Sequence, residues 1–260
     1  MSIYKVPTEF YSFANMLANE SEKIIMSHFR KKISIENKSD ESPVTIADKN
    51  SELKIRELIL KHYPDHGIIA EEFENTNNDS EYTWVIDPID GTRSFISGHK
   101  DFGTLIALLK NKKPVLGIIN CPAHKERWFA SGDETTTMNG NNVKTNQKHL
   151  ISECYAYSSG LYFDDPNFKK SFNNIINIVQ NYRLGGDCYS YGMLASGLID
   201  IVIEDTLKVW DYMALIPVIK NAGGVVTDRL GNEIDIKSDG SIIASCSDKI
   251  HTQVLKALNS

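Results

Sequence analysis

The chain has 260 residues, of which 41% are hydrophobic and 24% charged, and its net charge is −6. This composition is typical of a globular protein with a sizeable core, and the acidic excess argues against a nucleic-acid partner. No apolar run approaches the ~18 residues of a membrane span, and the N-terminus lacks a signal-peptide pattern, so we expect a cytoplasmic protein without a membrane partner.

Two helices are predicted near the N-terminus. Apolar residues recur at three- and four-residue intervals after Thr8, which can cap a helix that ends at about Lys31. The polar stretch 36–43 predicts an exposed loop. A second helix is predicted over about 47–63, because apolar residues again follow helical spacing and Pro64 comes next.

The apolar pattern then changes to short runs bounded by turn residues, which predict the strands of a sheet. These runs are GIIAEE (67–72), YTWVID (82–87), FGTLIALL (102–109), PVLGIIN (114–120) and ERWFA (126–130). Asn139-Gly140 predicts a tight turn. A further strand is predicted at about 153–157 and a helix over 166–180.

The last third of the chain alternates between helix and strand patterns. The predicted elements are a helix at 187–196, a strand at 199–204, a helix at 211–221, strands at 224–227 and 241–245, and a helix at 248–258. The nearest approach to a boundary is the polar stretch 131–148. We therefore expect an α/β fold in which an N-terminal lobe (about 1–135) and a C-terminal lobe (about 136–260) pack as one unit.

Acidic residues lie at the ends of several predicted elements. Glu71 closes one predicted strand, and Asp87 and Asp90 close the next, within WVIDPIDGT. Asp48 and Asp211 each stand at the start of a predicted helix. Side chains at the ends of rigid elements can converge, and clustered carboxylates suit Mg²⁺. Two aspartates three residues apart can bracket two ions that orient a water in phosphate-ester hydrolysis.

The turn after these aspartates has the features of a phosphate site. Gly91 lets the backbone approach a ligand closely, and the following TRSFIS can begin a helix. The N–H groups of Gly91 and Thr92 would then face a phosphate. The carbonyl of Ile89 is a further candidate metal ligand.

Each of these features also has a purely structural interpretation. Asp-Pro-Ile-Asp-Gly is a common turn sequence, and a glutamate pair at a strand end is usually solvated. Asp211 fits the N-cap of the helix that follows Trp210. The four cysteines and seven histidines are scattered, so neither a zinc site nor a disulfide framework is predicted.

Two longer motifs favour the functional interpretation. The run WVIDPIDGTRSFISGHKDFGTLIALL resembles the metal-binding signature of the inositol monophosphatase family, and KVWDYMALIPVIKNAGGVVTD resembles that family's second signature. VTIAD (44–48) and IAEE (69–72) match in the same order, so the resemblance covers nearly the whole chain. It implies a layered α/β/α/β/α sandwich, two or three Mg²⁺ ions, lithium sensitivity and a homodimer.

The resemblance also implies roles for individual residues. The implied metal ligands are Glu71, Asp87, the Ile89 carbonyl, Asp90 and Asp211. Asp48 and Thr92 would orient or activate the attacking water, and the amides of Gly91 and Thr92 would bind the phosphate. The loop at Lys38 would close near the third metal position. Water would attack phosphorus directly, without a covalent phospho-enzyme.

Within the family, the segments DPIDGTRSFISG, FGTLIALL, PVLGIINCP with ERW, and GGDCYSYGMLASG are most similar to histidinol-phosphate phosphatases. Histidinol phosphate carries a cationic amine and an imidazole, so acidic groups beside the leaving alcohol would help to bind it. Asp187 stands where inositol-selective relatives have a neutral residue, although it can instead cap the helix 188–196. Glu204 lies seven residues before Asp211, where the family contacts its alcohol, but inositol-selective members also carry Glu there.

The segment His99-Lys100-Asp101 is more polar than that branch leads us to expect, and it lies either at the pocket edge or in a solvated loop. The sequence predicts a Mg²⁺-dependent phosphomonoesterase that acts on L-histidinol phosphate. The alternative within this class is inositol-1-phosphate or a broad range of small phosphomonoesters. The alternative from another class is a non-catalytic Mg²⁺- or phosphate-binding module. Bisphosphates are less expected, because no obvious basic cluster is present for a second phosphate.

Overall fold

The computed structural model describes residues 6–32, 35–37, 43–77 and 79–259, so the Lys38 loop lies outside the described residues. The helices are α1 (Thr8–His28), α2 (Ile46–His62), α3 (Thr92–Ser97), α4 (Pro166–Ile178), α5 (Asp187–Ala195), α6 (Val209–Tyr212), α7 (Leu215–Asn221) and α8 (Asp248–Leu258). The strands of the first half are β1 (Ile35–Asn37), β2 (Pro43–Thr45), β3 (Gly67–Ala70), β4 (Tyr82–Asp90), β5 (Gly103–Lys110), β6 (Lys113–Cys121), β7 (Glu126–Ser131), β8 (Thr137–Met138) and β9 (Asn141–Asn142). The later strands are β10 (Tyr155–Ser158), β11 (Asn181–Leu184), β12 (Ile201–Glu204), β13 (Val225–Thr227) and β14 (Ile242–Ser245).

The described strands form two large sheets and one small one. The first large sheet has seven strands in the order β3-β4-β5-β6-β7-β8-β9, with β3 parallel to β4 and the other pairs antiparallel. The second has five strands in the order β11-β10-β12-β14-β13. The pair β1-β2 forms the small antiparallel sheet ahead of α2.

Helices cover both faces of each large sheet. On one face of the first sheet, α1 and α2 enclose a core that includes Leu17, Ile59 and Trp84. On the opposite face, α5 and α7 pack between the two sheets, in a core that includes Leu105 and Val202. The far face of the second sheet is covered by α4 and α8. These five layers confirm the expected α/β/α/β/α sandwich.

The central strands are apolar in a way that this layering explains. In β4 and β5 nearly every residue is buried, because helices pack on both faces of the sheet. Such strands read as continuous apolar runs, whereas a half-exposed strand alternates between apolar and polar residues. The WVI and LIALL runs are therefore the mark of a sheet that is covered on both sides.

Most predicted elements are confirmed to within a few residues, and the differences have local causes. Thr8 is the first residue of α1 and Pro7 precedes it without a side-chain cap, so the expected Thr8 cap is wrong. The strand β3 ends at Ala70, which places Glu71 just beyond it. The edge strand β11 was not predicted, because it has four residues, all exposed, and lacks the continuous apolar run that marked the other strands.

The predicted helix 211–221 is wrong as a single element. It consists of α6 and α7, which are separated at Met213 and Ala214. Pro217 lies in the first turn of α7, where a missing N–H costs no intrahelical hydrogen bond. Residues 212–219 are all buried, so the apolar residues show no helical periodicity that would mark the break.

The expected turn at Asn139-Gly140 is confirmed. Asn139 and Gly140 form the tight turn between β8 and β9, and both have the positive φ, +49° and +81°, that such a turn requires. Among the described residues, no helix is long and apolar enough to span a bilayer.

Candidate active site

The candidate site forms where β4 ends. The register of β4 against β5 shifts between Asp87 and Asp90. Pro88 stands inside this shift, where its lack of an N–H removes a ladder hydrogen bond. Gly91 then adopts a φ of +82°, and α3 begins at Thr92. The turn interpretation of this sequence is therefore correct, and the shape of the turn is what brings two carboxylates to one place.

A third carboxylate comes from α6. Carboxylate oxygens of Asp87, Asp90 and Asp211 all lie within 4.8 Å of one another. The N-cap interpretation of Asp211 is wrong, because α6 begins at Val209 and Asp211 lies within it. One oxygen, Oδ2, accepts a 2.7 Å hydrogen bond from the main-chain N–H of Lys208. Asp211 thus stabilises the first turn of α6 and also reaches the end of β4.

Burial and neighbouring negative charges raise the pKa of all three carboxylates. Burial raises the pKa of Asp87, and the charges of Glu71 and Asp90 raise it further. Burial likewise raises the pKa of Asp90, assisted by Asp187 and Asp211, and it raises the pKa of Asp211 to about 7. Within the described part of the chain, Asp87 Oδ1 is buried without a hydrogen-bond partner. This set of hard oxygen donors fits a divalent cation such as Mg²⁺.

Glu71 follows β3, the parallel neighbour of β4, and its charge raises the pKa of Asp48 as well as that of Asp87. The loop after Glu71 is held by Glu52 of α2. Glu52 is fully buried and accepts hydrogen bonds from the N–H groups of Glu72, at 2.7 Å, and Phe73, at 3.2 Å. Sequence reasoning missed Glu52, because its four-residue spacing to Arg56 indicates only an ion pair along the helix.

Asp48 and Thr92 lie together, as expected from the resemblance. Thr92 Oγ1 lies 3.4 Å from Asp48 Oδ1 and 3.0 Å from the carbonyl oxygen of Ile89. Asp48 is fully buried in the first turn of α2, where its Oδ2 accepts a 2.8 Å hydrogen bond from the N–H of Thr45. Burial raises the pKa of Asp48 against the opposing effect of these hydrogen bonds, which improves it as a proton acceptor.

Asp187 does not cap a helix. Gly186 is the N-cap residue of α5, and Asp187 itself has a φ of +41°. Its Oδ2 accepts a 2.6 Å hydrogen bond from Ser94 Oγ and would lie only 2.8 Å from a Cβ atom added at Gly91. The left-handed backbone at Asp187 therefore turns an acidic side chain against the phosphate turn, and the capping interpretation is wrong.

Glu204 lies on β12, deep in the same region. Its two oxygens accept hydrogen bonds from the N–H of Ser159, at 2.7 Å, and from the hydroxyl of Tyr191, at 2.8 Å. Burial raises the pKa of Glu204, and its charge also acts on Asp90 and Asp211. The structure therefore places Glu204 near the carboxylate cluster.

Two other features of the site could not be predicted from the sequence. The main-chain N–H of Cys188 donates a 2.6 Å hydrogen bond to Asp90 Oδ2, which joins α5 to the end of β4. The segment that contains His99 and Asp101 forms the loop between α3 and β5, and both side chains line a cavity beside the site. No signal in the sequence indicated which element these residues contact.

Comparison with known proteins agrees with this geometry. The model of the inositol monophosphatase family matches residues 6–260. The chain is 39% identical to the chloroplastic bifunctional phosphatase IMPL2 of Arabidopsis thaliana, over 96% of this chain and 75% of that protein. It is 34% identical to the histidinol-phosphatase of Chlorobaculum parvum, over 88% of this chain and 89% of that protein.

A solved inositol monophosphatase structure from Zymomonas mobilis has a TM-score of 0.90 and 35% identity to this chain. It covers 99% of this chain and is itself covered completely. The fold, the order of the motifs and the carboxylate cluster lead to one conclusion: the chain belongs to the inositol monophosphatase family.

Proposed function

We propose that the protein is a Mg²⁺-dependent phosphomonoesterase that hydrolyses L-histidinol phosphate to L-histidinol and phosphate. The observation that carries this proposal is the convergence of three carboxylates, one buried and two half-buried, directly beside the Gly91–Thr92 turn. Carboxylates this close repel one another unless a cation lies between them, and the turn beside them offers N–H groups to an anion. A phosphate held on metal ions satisfies both requirements.

The residues proposed to hold Mg²⁺ are Glu71, Asp87, the carbonyl of Ile89, Asp90 and Asp211. When bound, two or three such ions supply positive charge that stabilises the phosphate oxygens and activates water. The amides of Gly91 and Thr92 lie in the first turn of α3 and have no partner within that helix, so they bind phosphate oxygens. Together these groups fix the ester in one orientation.

The Asp48–Thr92 pair removes a proton from the attacking water. Thr92 Oγ1 accepts a hydrogen bond from the water and passes its own proton toward Asp48 Oδ1. Asp48 is suited to receive it because burial has raised its pKa. The pair therefore orients the water for direct attack on phosphorus and removes its proton.

The leaving alcohol is proposed to lie beside Asp187 and Glu204. Asp187 points at the phosphate turn and has no capping role, so its carboxylate is placed to attract the cationic amine of histidinol. Glu204 adds negative charge behind the site. The similarity to a protein named histidinol-phosphatase supports the same substrate.

Inositol-1-phosphate, or a broad range of small phosphomonoesters, is the second candidate. The observation in its favour is the 35% identity to a solved inositol monophosphatase with a TM-score of 0.90. The family resemblance also leads us to propose a homodimer, which light scattering of the purified protein tests directly.

The experiment is an assay of phosphate release from histidinol phosphate, inositol-1-phosphate and a nucleotide bisphosphate, with and without Mg²⁺. We expect release that requires Mg²⁺, is fastest with histidinol phosphate, and is abolished by Asp90→Asn. Equal rates on all esters would exclude histidinol phosphate as the preferred substrate. Absence of Mg²⁺-dependent release from any of them would leave only a binding function.

A further inference from the structure

A cavity of about 420 Å³ opens beside the proposed phosphate site. Its lining includes Ser94 and Asp101 from the segment after the phosphate turn, and Tyr189 from α5. It also includes His124, from the turn between β6 and β7. Parts of the chain that are distant in sequence therefore meet around one space, and sequence reasoning assigned no function to His124 or Tyr189.

The cavity lies beside the phosphate turn. A Cβ atom added at Gly91 would lie 2.9 Å from the carbonyl oxygen of Asp101 and 2.8 Å from Asp187 Oδ2. Ser94 lines the cavity and also donates a hydrogen bond to that same Asp187 oxygen. A phosphate held at Gly91 would therefore have the cavity as neighbouring space for the alcohol that leaves.

One wall of the cavity is an ordered stack of polar and aromatic groups. His124 Nε2 forms a 2.8 Å hydrogen bond with Asp101 Oδ1. The His124 ring lies flat on the ring of Tyr189, with centroids 4.0 Å apart and 10° between the planes. The side chains of His124 and Asp101 are 23% and 29% exposed, so each keeps part of its surface open to a ligand.

This wall suits a flat cationic or N–H-bearing ring. Aromatic faces attract cations and stack on planar rings. Asp101 is the carboxylate of the lining, and Asp187 lies behind the lining residue Ser94, whereas Arg183, His99 and His124 are the basic residues of the lining. An inositol ring is neither flat nor cationic and would gain little from the same groups.

We propose that the Asp101–His124–Tyr189 wall binds the leaving alcohol and selects esters whose alcohol carries a flat, N–H-bearing ring such as imidazole. This inference rests on the proposed function, because it takes the phosphate turn as the reaction centre. The three residues act on specificity: they hold the alcohol, and they take no part in the attack on phosphorus.

The test compares three esters on the Mg²⁺-loaded enzyme: L-histidinol phosphate, inositol-1-phosphate and glycerol 2-phosphate, which has no ring. The variants are Asp101→Asn, which removes a charge and keeps the shape, and His124→Leu, which removes the stacked ring. We expect each variant to lose about 10-fold in kcat/KM on histidinol phosphate and less than about 2-fold on glycerol 2-phosphate. His149→Leu, an exposed histidine on the other half of the chain, is the matched control and leaves all three values unchanged.

The outcomes separate the two proposals. If the wild-type enzyme prefers histidinol phosphate and the variants lose the same factor on all three esters, the wall has no role in specificity and the proposed function stands. If the wild-type enzyme does not prefer histidinol phosphate, the proposed substrate is wrong and this inference is overturned with it. Activity of each variant on glycerol 2-phosphate reports that it has folded.

Discussion

Asp48 and Asp211 occupy equivalent positions in the first turns of their helices. Each accepts, through Oδ2, the main-chain N–H of a residue three positions earlier, Thr45 or Lys208. A carboxylate has two oxygens, so this hydrogen bond leaves Oδ1 for other partners. Capping and function are therefore compatible at one residue, and the hydrogen bond to the backbone fixes the direction of the oxygen that faces the site.

The role of Asp48 is tested by Asp48→Asn, which keeps the size of the side chain and removes its capacity to accept a proton. We expect kcat to fall about 100-fold or more with little change in KM, because proton transfer is lost while binding is kept. Thr92→Ser keeps the hydroxyl that joins water to Asp48 and should retain most activity. If Asp48→Asn retains wild-type kcat at saturating Mg²⁺, the pair has no part in proton transfer.

Asp187 is tested by its effect on two substrates. We expect Asp187→Ala to raise KM for histidinol phosphate about 10-fold, because a charge-assisted contact to the amine is lost. The KM for inositol-1-phosphate should change less than about 2-fold, because that alcohol carries no cation. Steady-state kinetics on both esters make the comparison. Equal changes in the two KM values would assign Asp187 a structural role in the Ser94 contact.

At the scale of elements, α2 acts as a brace for the loop that follows β3. Glu52 on α2 accepts two main-chain N–H groups from that loop and is itself paired with Arg56 at 2.7 Å. The loop begins at Glu71, a proposed metal ligand. A helix on the outside of the sheet therefore controls the position of a side chain at the sheet's edge.

The brace is tested by Glu52→Gln, which leaves only one acceptor oxygen for the loop and weakens the pair with Arg56. We expect the Mg²⁺ concentration for half-maximal activity to rise about 10-fold, because groups behind metal ligands tune metal affinity. Glu57→Gln on the same helix removes one partner of an exposed ion pair and serves as the matched control. An unchanged Mg²⁺ requirement in Glu52→Gln would contradict the proposed bracing role.

His251, on α8, makes the stability of the fold depend on pH. This side chain is 5% exposed, and its ring nitrogens contact Ser245 Oγ at 3.1 Å and Thr227 Oγ1 at 2.9 Å. Burial lowers the pKa of His251 to about 4. Between pH 4 and 6.5 the unfolded chain therefore binds a proton that the folded chain excludes. The free energy of unfolding has its full value above that range and falls as the solution is acidified through it.

Urea unfolding at pH 7 and pH 5 measures this effect. We expect the wild-type protein to lose up to about 2 kcal/mol more than His251→Gln over this interval, because the variant has no imidazole to protonate. The difference between the two proteins removes the contribution of other titrating groups. Identical losses in both proteins would show that His251 is not the responsible residue.

At the scale of the whole molecule, the site joins two parts of the chain. Asp87 and Asp90 come from the first sheet, whereas Asp187 and Asp211 come from α5 and α6, in the second half of the chain. The helices α5 and α7 pack between the two sheets, with Asp211 on the short helix that precedes α7. The layered fold is thus the reason that residues 97 to 124 positions apart reach one place.

Sequence predicted the parts of this arrangement that are local. The turn at Asp87–Gly91 and the strands around it follow from proline, glycine and continuous apolar runs. The hydrogen bonds of Ser94 to Asp187 and of Glu72 to Glu52 could not be predicted, because they join residues 93 and 20 positions apart through tertiary packing. The break between α6 and α7 was missed because residues 212–219, which span it, are all buried and carry no amphipathic signal.

Metal binding should stabilise the folded protein, because the proposed ligands come from both halves of the chain. We expect saturating Mg²⁺ to raise Tm by several degrees, because a ligand that binds only the folded state at about ten times its Kd adds roughly 1.4 kcal/mol. Chelation should reverse the rise. Asp211→Asn should largely abolish it, because the cluster loses the carboxylate supplied by the second half of the chain. Thermal unfolding with and without Mg²⁺ is the measurement, and an equal rise in Asp211→Asn would remove that residue from the proposed ligands.

The most direct test of the central claim is a competition assay. Histidinol phosphate and inositol-1-phosphate are mixed at equal concentration with the enzyme and Mg²⁺, and the two alcohols released are counted, so that their ratio gives the ratio of kcat/KM. Our account predicts at least about 10-fold more histidinol than inositol. The reason is that the Asp101–His124–Tyr189 wall favours the imidazole ring and Asp187 favours the cationic amine. Equal release of both alcohols, or an excess of inositol, would contradict it.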